Sequence, residues 1–198
     1  MSYARAVLGA LVIAAAAGTP LAAQDHAVTI FARGGGYNGL TKLNDAGTAD
    51  FKKTGYNLGG GVDVQVQKYV SLRGDFTYGR NELRNNSTPT GVKANRYLYD
   101  AAVQLQYPTS GGIEPYVFAG GGAVTVHQVG ATAPDKTKGA GTFGLGLNYR
   151  IPGTQFGVFA EGKSWLYKID SMSGALAGIN RTEFDVAWSG GLSYRFPF

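Results

Sequence analysis

The sequence predicts an all-β protein: an eight-stranded, antiparallel, up-and-down transmembrane β-barrel that follows an N-terminal signal peptide. Three observations predict it. Segments of roughly ten residues in which apolar and polar side chains alternate recur about eight times, and no stretch keeps a 3.6-residue period. The links between these segments alternate between short turns and long polar loops. The chain also ends on such a segment, with an aromatic at Tyr194, Phe196 and Phe198.

The N-terminus comes first. One positive charge at Arg5, an apolar run from Ala6 to Ala17, the breaker Gly18-Thr19-Pro20 and the small pair Ala22 and Ala23 compose a secretory signal peptide. The run is shorter than the roughly 20 apolar residues a membrane helix needs. Cleavage is expected after Ala23, although Leu21 stands where a small residue is preferred, so residues 1–23 are the leader and 24–198 the barrel domain. No later segment is apolar over helical length, and a membrane-resident mature chain must therefore cross as strands. The chain has no cysteine, so packing and backbone hydrogen bonds must hold it in a compartment that permits disulfides. Its 18 Lys and Arg against 13 Asp and Glu suit contact with anionic head groups or polysaccharide without choosing a partner.

The strands follow in order. The first, around Val28 to Tyr37, is glycine-rich and carries Arg33. In the second, Tyr56, Leu58, Val62, Val64 and Val66 oppose Asn57, Asp63, Gln65 and Gln67; in the third, Val70, Leu72, Phe76 and Tyr78 oppose Ser71, Arg73, Asp75 and Thr77. Tyr97, Tyr99, Val103, Leu105 and Tyr107 alternate with Arg96, Asp100, Gln104 and Gln106 in the fourth, and the fifth ends near His127 with that ring read as inward. Phe143, Leu145, Leu147 and Tyr149 mark the sixth. In the seventh, Gln155 to Lys168, Glu161 and Lys163 define the polar face and put Phe159, Trp165 and Tyr167 on it. The last strand opposes Phe184, Val186, Trp188, Leu192, Tyr194, Phe196 and Phe198 to Glu183, Asp185, Ser189, Ser193 and Arg195.

Short links are expected at Gln67 to Tyr69, Pro108 to Ile113 and Ile151 to Thr154, and long ones at Gly39 to Lys53, Glu82 to Asn95, Val129 to Lys138 and Asp170 to Thr182. Outer-membrane barrels use short periplasmic turns and long outer loops, so both termini are expected in the periplasm and the four long loops outside the cell. Tyr56, Tyr78, Tyr97 and Phe184 at one level and Tyr107, Tyr116, Tyr149 and Tyr194 at the other are expected to form two interfacial girdles. Alternation alone does not say which face is inside, and a soluble calycin such as a lipocalin would invert it. The aromatics at strand ends, the loop rhythm and the terminal strand favour the membrane.

The ending Tyr194, Phe196, Phe198 resembles the C-terminal signal of bacterial outer-membrane proteins, which the barrel assembly machinery reads. With the leader and the eight strands, the mature chain resembles the small outer-membrane barrels that include the OmpA membrane domain and OmpX. That resemblance implies a location in the cell outer membrane, with outer-membrane lipid and lipopolysaccharide as neighbours, more than it implies an activity. The chain departs from full-length OmpA in that nothing follows Phe198 to form a peptidoglycan-binding domain.

An eight-stranded barrel is just wide enough for side chains to fill. Arg33, Arg73 and Lys163 fall at middle depth with Asp63, Asp75, Asp100 and Glu161, and a buried ion-pair network is expected to plug the lumen. An unpaired buried charge costs about 3–5 kcal/mol, which is why both signs should occur together. A narrow polar path is the alternative, with Gly59, Gly61, Gly121, Ala123, Gly144, Gly146 and Gly157 read as inward positions that leave room for water.

Other motifs carry little. Gly34, Gly36 and Gly39 fit the letters of a dinucleotide fingerprint but open no helix. Arg73-Gly74-Asp75 spells an integrin tripeptide with both charges in the lumen, and Asn85, Asn86 and Asn180 head glycosylation sequons that read as polar turns. Lipid A deacylases and palmitoyl transferases are the enzymatic precedents in such barrels, but His26 and His127 have no nucleophile or acid partner assignable from spacing and form no metal cluster. No catalytic residue, metal, cofactor or nucleic-acid partner is expected. The function classes therefore rank as a structural or surface-interaction barrel, then a small-solute transporter, then a lipid-modifying enzyme. In the first, Lys42, Lys52, Lys53, Arg84, Lys93, Lys136, Lys138 and Arg181 are placed to meet lipopolysaccharide phosphates.

Overall fold

Alternation gives every strand one apolar and one polar face, and a sheet of such strands leaves exposed edges unless it closes on itself. The computed structural model shows the closed form and describes residues 27–41, 49–51, 54–85, 88–130, 132–170 and 173–197. The expected leader, His26, Lys42, Lys52, Lys53 and Phe198 lie outside the described residues.

The strands are β1 (Ala27–Gly39), β2 (Ala49–Phe51), β3 (Gly55–Gln67), β4 (Val70–Asn85), β5 (Thr88–Gln106), β6 (Ile113–Val129), β7 (Lys136–Arg150), β8 (Phe156–Ile169) and β9 (Arg181–Pro197). β2 is a short strip laid along the far end of β4, from Ala49↔Asn85 to Phe51↔Leu83. The other eight are antiparallel to their neighbours in the ring β1-β3-β4-β5-β6-β7-β8-β9, which β1 closes against β9 from Ala27↔Pro197 to Gly39↔Asp185. Every backbone donor and acceptor of the ring then has a neighbour, the condition for crossing hydrocarbon.

The faces divide as a membrane requires. Ile30, Leu58, Leu72, Phe76, Leu145, Trp188 and Leu192 are exposed on the outside, whereas Arg33, Arg73, Asp75, Asp100, Glu161 and Lys163 are buried in the lumen. A soluble calycin would have the reverse. Such a continuous apolar exterior is stable only against lipid.

At one end the links are tight. Lys68 and Tyr69 alone join β3 to β4, and the other two turns use Gly112 and Gly153 at φ 78° and 75°, a left-handed conformation that favours glycine. Tyr69 stacks on Tyr107 there at 5.9 Å, and Tyr194 meets Phe156 and Phe196 at 4.9 and 4.6 Å. At the other end Tyr78 lies 6.0 Å from Tyr56 and 5.5 Å from Tyr97, and Phe143 lies 6.0 Å from Phe184. These are two aromatic belts.

Two expected loops are shorter than the sequence suggests. Of Glu82 to Asn95, most is strand: β4 continues to Asn85 and β5 begins at Thr88, paired through Glu82↔Lys93 and Asn85↔Thr88 across a register shift. β7 likewise begins at Lys136, inside the expected Val129 to Lys138 loop. Beyond the membrane the outer face meets water, so only isolated inward residues such as Leu83 and Ala94 are apolar and no alternation is left to read. The expected Gly39 to Lys53 loop contains β2, and the last loop contains one 3-10 turn, Gly174–Leu176.

Candidate functional site

The lumen is filled in three tiers. Across the middle, Arg33 on β1 stands opposite Gly59 of β3 and Gly191 of β9, so neither neighbouring strand crowds its guanidinium as it crosses the lumen. It meets Asp75 as a fork, Nη2 to Oδ1 at 2.6 Å and Nη1 to Oδ2 at 2.8 Å, and donates to Glu161 Oε1 at 2.7 Å and Thr77 Oγ1 at 2.5 Å. Arg73 places Nη2 at 2.8 Å from Glu161 and 3.0 Å from Asp75. Its guanidinium lies against the rings of Phe31 and Phe118, 4.3 and 4.6 Å from their centroids. Asp75 and Asp100 face each other directly across β4 and β5, a like-charge pair that repels. Lys163 resolves that repulsion from β8, with Nζ 3.1 Å from Asp75 and 2.9 Å from Asp100, while Trp165 donates its indole N–H to Asp100 at 3.2 Å.

Above this layer, toward the long-loop end, the lumen becomes apolar. Leu98, Val124, Val126, Trp165, Ile169 and Leu83 pack with Leu176, which the 3-10 turn lowers into the mouth. Gln128 anchors that turn by donating to the Ser173 carbonyl at 2.7 Å. Beneath the cap sits a second polar group. Tyr37 and Tyr167 both donate to Asp185, the latter at 2.7 Å, and Arg96 Nε donates to Tyr167 at 2.8 Å and lies 3.4 Å from Asp185. Glu183 is fully buried beside them, next to Asp185.

Below the layer, a cavity of about 360 Å³ opens at the short-turn end. Its floor is Phe31, Arg73, Tyr116 and Phe159, and its walls carry Asp63, Gln65, Gln104, Gln106, Asn148 and Arg195. Asp63 therefore stands apart from the other expected lumen charges, 4.0 Å from Arg73 Nε.

Several expectations are corrected on β6. Tyr116 is not in a girdle but buried in the lumen, where its hydroxyl donates to Glu161 at 2.9 Å. Gly121, Ala123 and His127 face outward, and Val124, Val126 and Gln128 take the inward positions. Both faces of β6 are apolar in its middle, so alternation did not fix its register; Glu114, buried near its start, does. His127 is 41% exposed and its Nδ1 lies 2.6 Å from Asp135, an acid partner that spacing did not reveal. The inward glycines Gly144, Gly146 and Gly61 hold no water-sized gaps. A Cβ there would lie 2.4 Å from the Phe118 ring, 2.4 Å from the Tyr116 ring and 2.7 Å from the Phe31 ring, so those aromatics occupy the space.

The profile of the outer membrane protein beta-barrel domain family matches residues 8–196. This chain belongs to that family. No curated protein sequence matches it. Among solved structures, Neisserial surface protein A aligns with a TM-score of 0.57 at 15% identity, covering 86% of this chain and 97% of that one. OprG from Pseudomonas aeruginosa gives 0.51 at 16% identity, covering 88% and 96%, and Ail of Yersinia pestis, solved with the heparin analogue sucrose octasulfate, gives 0.50 at 14%, covering 88% and 100%. At that identity the likeness is one of fold. As an outer-membrane barrel, the chain has its apolar exterior against lipid, which leaves the lumen and the two ends as the places where its own chemistry lies.

Proposed function

We propose that this chain is a sealed outer-membrane barrel whose role is structural or lies in interactions at its outer surface, the lumen being plugged by the Arg33, Arg73, Lys163, Asp75, Asp100 and Glu161 network. One observation carries the reading: the lumen is occluded twice, by the ion-pair layer and then by the apolar cap around Leu98, Trp165 and Leu176. A solute would have to break the guanidinium–carboxylate contacts of Arg33 and Arg73 and then pass the packed cap, in which the buried Arg96–Asp185 pair and its tyrosines fill the space between the apolar side chains.

The leader ends at Ala23 in this reading, the short turns and both termini are periplasmic, and the four long links are extracellular. The terminal strand, with Tyr194 and Phe196 facing outward, serves with Phe198 as the signal for the assembly machinery. At the outer rim the described cations Arg80, Arg84, Lys93, Lys136, Lys138, Lys168 and Arg181 outnumber the acids Asp50, Glu82, Asp135 and Asp170. That imbalance supports contact with anionic lipopolysaccharide or polysaccharide, and Ail's sulfated ligand is a precedent of the same charge.

The test is binding of the barrel, refolded in nanodiscs, to immobilised lipopolysaccharide. The reading predicts affinity that falls with salt and drops at least tenfold in the combined Lys93→Glu, Lys136→Glu, Lys168→Glu variant. Binding that is absent, or indifferent to salt and to the triple variant, refutes the surface reading.

A further inference from the structure

The lower cavity contains two opposite charges whose pairing among the described residues is loose or absent. Asp63 on β3 and Arg195 on β9 are both paired in register with Thr29 of β1, one from each side. Their Cα atoms are therefore two strand spacings apart, about 9.5 Å, with both side chains lining the same cavity.

Asp63 Oδ1 is buried and accepts no hydrogen bond among the described residues. Its nearest cation is Arg73, whose Nε stands 4.0 Å away and whose Nη2 is committed to Glu161 and Asp75 at 2.8 and 3.0 Å. Arg195 donates Nη2 to the neutral Gln65 Oε1 at 2.6 Å and meets no carboxylate at ion-pair distance among the described residues. The other charged pair in the cavity satisfies itself: Arg150 Nη2 lies 2.6 Å from Glu114 Oε1 and its Nε donates to Glu114 Oε2 at 3.0 Å.

We propose that this cavity is a binding site for a small zwitterionic solute of the α-amino-acid class, Asp63 taking the ammonium and Arg195 the carboxylate. An α-amino acid carries its two charges on neighbouring carbons, so it can make one charge-assisted contact with each of these side chains at once. A simple anion meets Asp63 and a simple cation meets Arg195, so each is opposed by one end of the site; only a ligand carrying both charges satisfies both. At about 360 Å³ the space is at the small end of the range for ligand sites, roughly 300–1,000 Å³. Gln104, Gln106 and Ser71 add neutral donors and acceptors on the wall opposite, and Phe31 and Phe159, edge to face at 5.9 Å, offer an apolar surface for a short side chain. Because the floor is the ion-pair layer, the site is a receptor cup and not a step on a route through the barrel.

Ligand-detected NMR titration of the barrel refolded in phospholipid nanodiscs tests this. Probes are glycine, alanine and serine, the half-analogues acetate and methylammonium, and glucose as a neutral polar solute. The proposal predicts saturable binding of at least one amino acid, with both half-analogues and glucose at least tenfold weaker. Asp63→Asn and Arg195→Gln, each verified as folded by circular dichroism, should each weaken that binding tenfold or more, and Arg150→Gln should not. No amino-acid binding by the folded wild type, equal binding of glucose or a half-analogue, or indifference to either Asp63→Asn or Arg195→Gln overturns it.

Discussion

Replacing Arg33 with Met removes the centre of the ion-pair layer at nearly constant length. Arg33 and Asp75 have fully buried side chains and Glu161 is within 1% of it, so water cannot replace the lost guanidinium. The layer normally sets Arg33, Arg73 and Lys163 against Asp75, Asp100 and Glu161, and the variant leaves two cations facing three carboxylates. Breaking a buried pair by deleting one partner costs about 3–5 kcal/mol, most of it the stranded charge. Arg33→Met should therefore lower unfolding free energy by about that much, while Arg33→Met with Asp75→Asn should recover some of the loss, because the stranded carboxylate is gone. The assay is reversible urea unfolding of the barrel in lipid vesicles, followed by fluorescence of buried Trp165 and lipid-facing Trp188. A single-variant loss below about 1 kcal/mol, or strict additivity in the double variant, would refute the claim that these charges are interdependent in a dry lumen.

Other perturbations have defined outcomes. Glu183→Gln keeps a side chain that can hydrogen-bond Asp185 and removes the titratable group beside it, so it should change stability by less than about 1 kcal/mol in the same assay, whereas a loss of about 3 kcal/mol or more would mean that the carboxyl group itself is needed there. Gly146→Ala puts a Cβ 2.4 Å from the Tyr116 ring and 2.7 Å from the Ala160 carbonyl, so it should cost about 1–3 kcal/mol, measured as a lower urea midpoint. At the rim, the hydrogen bond from Lys138 to Asp170 holds that carboxyl below its ordinary value of 3.8, followed in weight by the opposing cost of burial. The bond is present at neutral pH and is lost only as pH falls through the depressed value, so NMR titration should find Asp170 titrating below 3.8 in the wild type and higher in Lys138→Met.

Alternation made the barrel legible because each membrane-crossing strand must show apolar atoms to lipid and polar atoms to the lumen. It placed Arg33, Arg73, Asp75, Asp100, Glu161 and Lys163 on inward faces, since charges are too costly to leave in hydrocarbon. It failed where that pressure lapses. On β6, Tyr116, Phe118, Val124 and Val126 face inward while Val117 faces outward, so both faces are apolar and the period gives no register. Above the membrane, the outer faces of β4 and β5 meet water while only isolated residues such as Leu83 and Ala94 turn inward, so their continuation reads as loop. Leu176 belongs to no alternating segment, and its burial comes from a turn docking into the mouth. The depth of Asp63 was also hidden, because alternation assigns a face but depth depends on strand tilt and shear.

The sealed lumen is the central claim, and single-channel conductance is its most direct measurement: the refolded chain in a planar bilayer, with Arg73→Ala run alongside. The account predicts a silent membrane containing verified folded barrel. A steady wild-type conductance that changes in Arg73→Ala would contradict it, because ions would then be passing through the charged layer.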